Sequence, residues 1–112
     1  IQNFKQMEKR RIVFVLGVTY ETPLTKLKNI PKIIGSVIEN VKGAEIDRCH
    51  FKEYADFSLN YETVYYVQSA DYNEYMDIQQ KINLRIKEEF EKEGIEFAYP
   101  TQTVYLAKGE GT

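Results

Sequence analysis

The sequence predicts an α+β domain of the ferredoxin-like, split βαβ kind: β-α-β-β-α-β, an antiparallel sheet with both helices on one face. Three observations carry that prediction. Stretches of β-prone or alternating residues stand at 12–20, 49–54, 59–69 and 95–106. Two longer stretches, 24–41 and 75–90, repeat apolar residues every three or four positions. Between them lie residues that stop one kind of element and start another, among them Pro23, Gly43, Asp71 and Gly94.

In the first strand Ile12, Phe14, Leu16, Val18 and Tyr20 share one face, and Val13, Val15 and Gly17 share the other. Apolar residues on both faces predict a central strand, with Gly17 easing the close packing of a helix over the sheet. Thr22 and Pro23 then read as N-cap and first helical residue, because proline's missing amide has no helical partner there anyway. Leu24, Leu27, Ile30, Ile34, Val37, Ile38 and Val41 form the packed face, and Gly43 supplies the stop. Pro31 removes the bond to the Leu27 carbonyl, so the element either kinks there or restarts with Pro31 in a new first turn, and a kink is the favoured expectation.

Cys49 to Tyr54 and Leu59 to Ser69 read as a hairpin joined by Ala55-Asp56-Phe57-Ser58. Tyr61, Thr63, Tyr65 and Val67 share one face of its second strand, with Glu62, Val64, Tyr66 and Gln68 on the other. Asp71 and Asn73 are candidate caps for a helix that turns Tyr75, Ile78, Ile82, Ile86 and Phe90 inward. Its outer face is charged. Lys87 with Glu91 and Glu88 with Lys92 have i,i+4 spacing, each pair contributing about 0.2–0.5 kcal/mol. Gly94 can take the left-handed conformation that ends this helix. Ile95 to Tyr99 alternates, Pro100 forbids a ladder bond at its own nitrogen, and Gln102 to Leu106 resumes the period of two.

Of 112 residues, 43% are apolar and 29% charged, enough for one conventional core without metals or disulfides. The net charge is −2 and the isoelectric point near 5.5, so the chain lacks the electrostatic footprint of a nucleic-acid binder. A single cysteine, Cys49, excludes an internal disulfide and fits a reducing compartment. The longest apolar run, Ile12 to Val18, is far short of the roughly 20 residues a membrane-spanning helix needs. The start at Ile1, with no charged-then-apolar leader, reads as a piece of a longer polypeptide. The expected organisation is a linker over 1–10, the domain over 11–107 and a flexible tail over 108–112.

Residue types that could carry chemistry are few. Cys49 and His50 are the soft and borderline metal ligands, but neighbours in a strand point to opposite faces and nothing else completes a site. Cys49 reads as a small buried apolar residue and His50 as a surface side chain. Glu88, Glu89, Glu91 and Glu93 spread over several helix faces and read as a solvated surface. Gly17, Gly35 and Gly43 are isolated and match no phosphate-binding loop. Tyr61, Tyr65 and Tyr66 lie where RNA-recognition modules of the same plan place stacking aromatics, but the basic and glycine residues of that motif are absent. These tyrosines are expected at contacts with neighbouring subunits or domains. No catalytic, cofactor-binding or metal-ligating residue is assigned, and no enzyme activity or cofactor is expected.

Several phrases, in order, resemble the cytoplasmic end of the small-conductance mechanosensitive channel family. They are Gln2-Asn3-Phe4, Leu16 to Thr22, Phe57-Ser58-Leu59, Gln79 to Leu84, and Gly94 to Leu106, the last reading Gly-Ile-Glu-Phe-Ala-Tyr-Pro-Thr-Gln-Thr-Val-Tyr-Leu. The resemblance covers nearly the whole chain. It implies a non-enzymatic domain that follows a membrane pore and a small β-domain, seven copies enclosing a vestibule through which ions and small osmolytes pass. Residues 1–8 would then be the tail of that β-domain, and 107–112 would lead towards a terminal strand that this chain does not show. The resemblance also implies a cell-membrane location, with this domain on the cytoplasmic side and no membrane contact of its own. Without the membrane helices, the fragment is expected to be soluble and a monomer or weak oligomer. Two other readings stand beside it: a stand-alone ligand-binding regulatory domain of the same fold, and an RNA-binding module.

Overall fold

The computed structural model describes residues 9–99, and in them the order is β1 (Arg10–Val18), α1 (Leu24–Glu39), β2 (Ala44–Tyr54), β3 (Leu59–Val67) and α2 (Tyr72–Glu93). The strands form an antiparallel sheet in the order β1-β3-β2, so β3 is central. β1 meets β3 without a register shift from Arg10↔Val67 to Val18↔Leu59. β2 meets β3 with two irregularities, between Ile46 and Arg48 and between Phe51 and Glu53. Past α2 the chain returns to β1, where Val18 bridges Phe97 in antiparallel fashion, the place the split βαβ plan gives its fourth strand. The expected strand over Gln102 to Leu106 lies outside the described residues.

Both helices pack on one face of the sheet. Ile30, Ile34, Val37, Ile38 and Val41 from α1 and its end meet Ile78, Ile82, Ile86 and Phe90 from α2 over Ile12, Val18, Tyr61, Tyr65 and Val67. The spacing predicted all nine helix-side residues of that set. Leu24 departs from it: it is 65% exposed, the first residue of α1 and outside the core. On the other face of the sheet Val13 and Val15 of β1 are 45% and 50% exposed, while Val64 of the central strand is fully buried.

α1 starts differently from the expectation. Pro23 takes the cap position in an extended conformation with no side-chain cap, while the Thr22 and Thr19 hydroxyls lie 3.1 Å apart. Pro31 sits inside one uninterrupted helix, and the Leu27 carbonyl that its missing amide orphans accepts a hydrogen bond of 2.8 Å from the Tyr61 hydroxyl of β3. α2 is capped as expected: the Asp71 carboxylate accepts from the Asn73 amide at 3.0 Å, and Gly94 turns left-handed at φ 72°.

Two strand expectations are corrected. β2 begins at Ala44, not Cys49, because Ala44 and Ile46 continue the inward alternation and pair with Val67 and Tyr65. Gly17 lies on the face away from the helices, where a Cβ would come within 2.9 Å of the Ser58 Cβ, so the hairpin and not a helix requires the missing side chain.

Candidate functional site

Cys49 and His50 occupy adjacent β2 positions and are not brought together. Cys49 faces the helices opposite Thr63, whose hydroxyl donates to its sulfur at 3.3 Å, and burial pushes the thiol above its ordinary pKa. His50 is exposed opposite Glu62. Among the described residues, no group of three or more His, Cys, Asp or Glu side chains could hold a metal. Burial that favours the neutral thiol is the opposite of what activates a cysteine nucleophile.

Two tyrosines of β3 correct a second expectation. Tyr61 and Tyr65 are fully buried beneath the helices, not placed at a subunit contact and not available for stacking on a base. Each hydroxyl has an internal acceptor, the Leu27 carbonyl for Tyr61 and the Gln79 side-chain oxygen for Tyr65. Burial pushes Tyr61 up to about 12, and burial likewise raises Tyr65. On the sheet face away from the helices the central group is Glu62. Its carboxylate accepts from Arg48 at 2.9 Å and lies 3.5 Å from Lys52, and the Arg48 hydrogen bond, followed by the Lys52 charge, holds it below the usual carboxylate range.

Arg10 was not singled out by the sequence. Its guanidinium donates to the Ala70 carbonyl at 2.9 Å and sits 5.8 Å from the Tyr72 ring and 5.5 Å from the Tyr75 ring, fastening the start of β1 to the start of α2. The only sequence signal is the pair of aromatics three apart in the first turn of α2, and it does not identify its cation.

The charged outer surface of the helices is the remaining candidate. A groove of about 520 Å³ runs between α1 and α2, with Lys32, Arg85 and Lys92 facing Glu88, Glu89 and Glu93. Lys26 bridges to Glu93 at 3.2 Å across the helix pair, and Arg85 donates to the Asn40 carbonyl at 3.1 Å. Lys87 pairs with Glu91 at 3.2 Å as the spacing predicts, whereas Lys92 pairs with Glu89 at 3.4 Å instead of Glu88. Exposed pairs of this kind contribute little to stability, about 0–1 kcal/mol each, so their effect is on the field outside the protein. No helix in the described residues is long and apolar enough to cross a membrane.

This architecture is matched by a family model. The model for the C-terminal part of the mechanosensitive ion channel MscS matches residues 12–97, from β1 through the Val18–Phe97 bridge. The small-conductance mechanosensitive channel MscMJ of Methanocaldococcus jannaschii is 45% identical over 109 residues, covering 96% of this chain and 31% of that protein. The large-conductance channel MscMJLR of the same organism is 40% identical, covering 98% of this chain and 32% of that protein. The low-conductance mechanosensitive channel YnaI of Escherichia coli is 27% identical, over 95% of this chain and 32% of its own length. This chain thus spans about a third of the curated relatives it matches. A match over more than three-quarters of the sequence, on elements found in the same order, assigns the chain to the MscS mechanosensitive ion channel family, in its C-terminal region.

Proposed function

We propose that this domain forms part of the cytoplasmic wall of a mechanosensitive channel, in which seven copies surround a vestibule that ions and small osmolytes traverse. The domain itself is non-enzymatic and touches the membrane only through other parts of the polypeptide. The observation that carries this reading is the family match over residues 12–97, set on a domain whose second helix carries exposed charge pairs. Relatives named as channels of small, large and low conductance share this region, which fits a common scaffold whose surface is varied from one member to the next. Charges on the α2 surface set the local counter-ion concentration within a Debye length of about 8 Å at physiological salt.

The test is charge reversal at Glu91→Lys with Lys92→Glu in the full-length protein. It turns the Lys87–Glu91 and Glu89–Lys92 pairs into like-charge neighbours without changing the net charge. In patch recordings under asymmetric salt the reversal potential shifts while the opening tension stays the same. An unchanged reversal potential with a shifted opening tension would show that this domain influences gating and does not filter through these charges.

A further inference from the structure

We infer that the groove between α1 and α2 binds a small zwitterion, a molecule with an ammonium and a carboxylate at the two ends of a short hydrocarbon chain. Its volume of about 520 Å³ falls within the range of small-molecule sites, roughly 300–1,000 Å³. The helical repeat gives it two kinds of lining. Ile33 and Val37 stand one turn apart on the flank of α1, beside the core residues Ile30, Ile34 and Ile38, and are its apolar part. Arg85 and Glu89 stand one turn apart on the flank of α2, beside Ile82, Ile86 and Phe90. With Lys32 on α1 and Glu88, Lys92 and Glu93 on α2, three cations and three carboxylates surround the gap.

Contacts at both ends hold the helices at this spacing. Lys26 of α1 bridges to Glu93 of α2 at 3.2 Å, and Arg85 of α2 donates to the Asn40 carbonyl beyond the end of α1 at 3.1 Å. A ligand therefore meets a gap already formed, which lowers the ordering cost of binding. The balance of charge selects the kind of ligand. Equal numbers of both signs leave no net field to gather ions of one sign, so an anion or a cation gains at one group and loses at the next. A molecule with both charges gains at both ends, its carboxylate towards Lys32 and its ammonium towards Glu88, while its hydrocarbon covers Ile33 and Val37. A polyanion is repelled by the carboxylates. Because Lys32 and Glu88 are exposed, the binding is weak and rapidly reversible, as suits a solute present at high concentration. It requires only the helix pair, whatever the pore conducts.

The test titrates the full-length polypeptide at low salt with γ-aminobutyrate, butyrate and butylammonium, and reads binding by NMR saturation transfer from protein to probe. γ-Aminobutyrate should bind about fivefold more tightly than either singly charged probe, the size of one exposed ion pair. Lys32→Gln should remove that advantage and leave butylammonium unchanged. Glu88→Gln should also remove it and leave butyrate unchanged. Ser36→Trp, which places a large ring on the exposed wall of the groove, should weaken all three probes. Both charge variants keep the core and the contacts at the groove's ends, and a general loss of structure would affect the probes alike instead of one by one. Equal affinity for the three probes, a charge variant that does not discriminate between them, or no saturation transfer to any probe would overturn the inference.

Discussion

Removing one oxygen atom from the core tests the coupling between Pro31 and Tyr61. Pro31 cannot donate to the Leu27 carbonyl four residues back, and the Tyr61 hydroxyl fills that vacancy at 2.8 Å. Tyr61→Phe keeps the buried ring and its stack on Phe51, with centroids 5.2 Å apart, but leaves the carbonyl without its donor. An unsatisfied interior carbonyl costs about 1–3 kcal/mol, more than the net value of an ordinary hydrogen bond, because its desolvation is no longer offset. Pro31→Ala returns a backbone amide to the helix and gives Leu27 its usual partner. In that background Tyr61→Phe should cost no more than about 0.5 kcal/mol, since a carbonyl with one donor is no longer orphaned.

Urea melts of the four proteins in this cycle measure the coupling, expected at about 0.5–3 kcal/mol. Thermal midpoints should follow, at about 4–8 °C for each kcal/mol in a domain of this size. Equal costs of Tyr61→Phe in both backgrounds would refute the reasoning. The hydroxyl would then be worth the same whether or not the helix can satisfy its own carbonyl, and the proline would have nothing to do with the buried tyrosine.

Two further predictions concern the core and its titration. Phe90 is fully buried and stacked on Phe97 at 4.9 Å, whereas Phe14 is half-buried against the edge of Tyr65, so Phe90→Ala should cost about 3–5 kcal/mol and Phe14→Ala about 1–3 in denaturant melts; the reverse order would show that β1 packs more deeply than α2. Tyr61, raised to about 12, and Tyr65, also raised, keep their protons in the folded state after the unfolded chain has begun to lose them near its ordinary value of 10.0. Their contribution is complete below pH 10 and is lost as pH rises through the folded values, and a Tyr61→Phe, Tyr65→Phe double variant with the same alkaline slope of stability as the parent would contradict this.

How far the sequence could be read follows from how local each interaction is. α2 was legible throughout because the Asp71 cap, the inward series to Phe90 and the left-handed Gly94 all act within a turn or two. The first half of β2 was missed because Ala44-Glu45-Ile46-Asp47 becomes a strand only by pairing with Val67 and its neighbours, some twenty residues away. Leu24 was placed inward because a helical repeat gives the direction of a face and not how far the sheet beneath it extends. Tyr61 and Tyr65 were placed outward because a phenol is usually left half-wet, and what allows their burial, acceptors at Leu27 and Gln79, lies 34 and 14 residues distant. Lys92 could reach either Glu88 or Glu89, and spacing alone did not choose between them.

The functional surface was less legible than the fold for a different reason. In an enzyme, residues far apart in sequence converge on one point, and an odd ionisation state or a cluster of ligands exposes them. Here the strongest perturbations, at Tyr61 and Tyr65, belong to the core, while the charges on α2 are ordinary exposed groups. The proposed channel wall would need no convergent site, because its effect on a passing ion would be the sum of many such groups held at fixed spacing around an axis. No single chain contains that axis. The features that matter for the proposed role are therefore the exposed charges of α2, where a reading from the core outward has least to say.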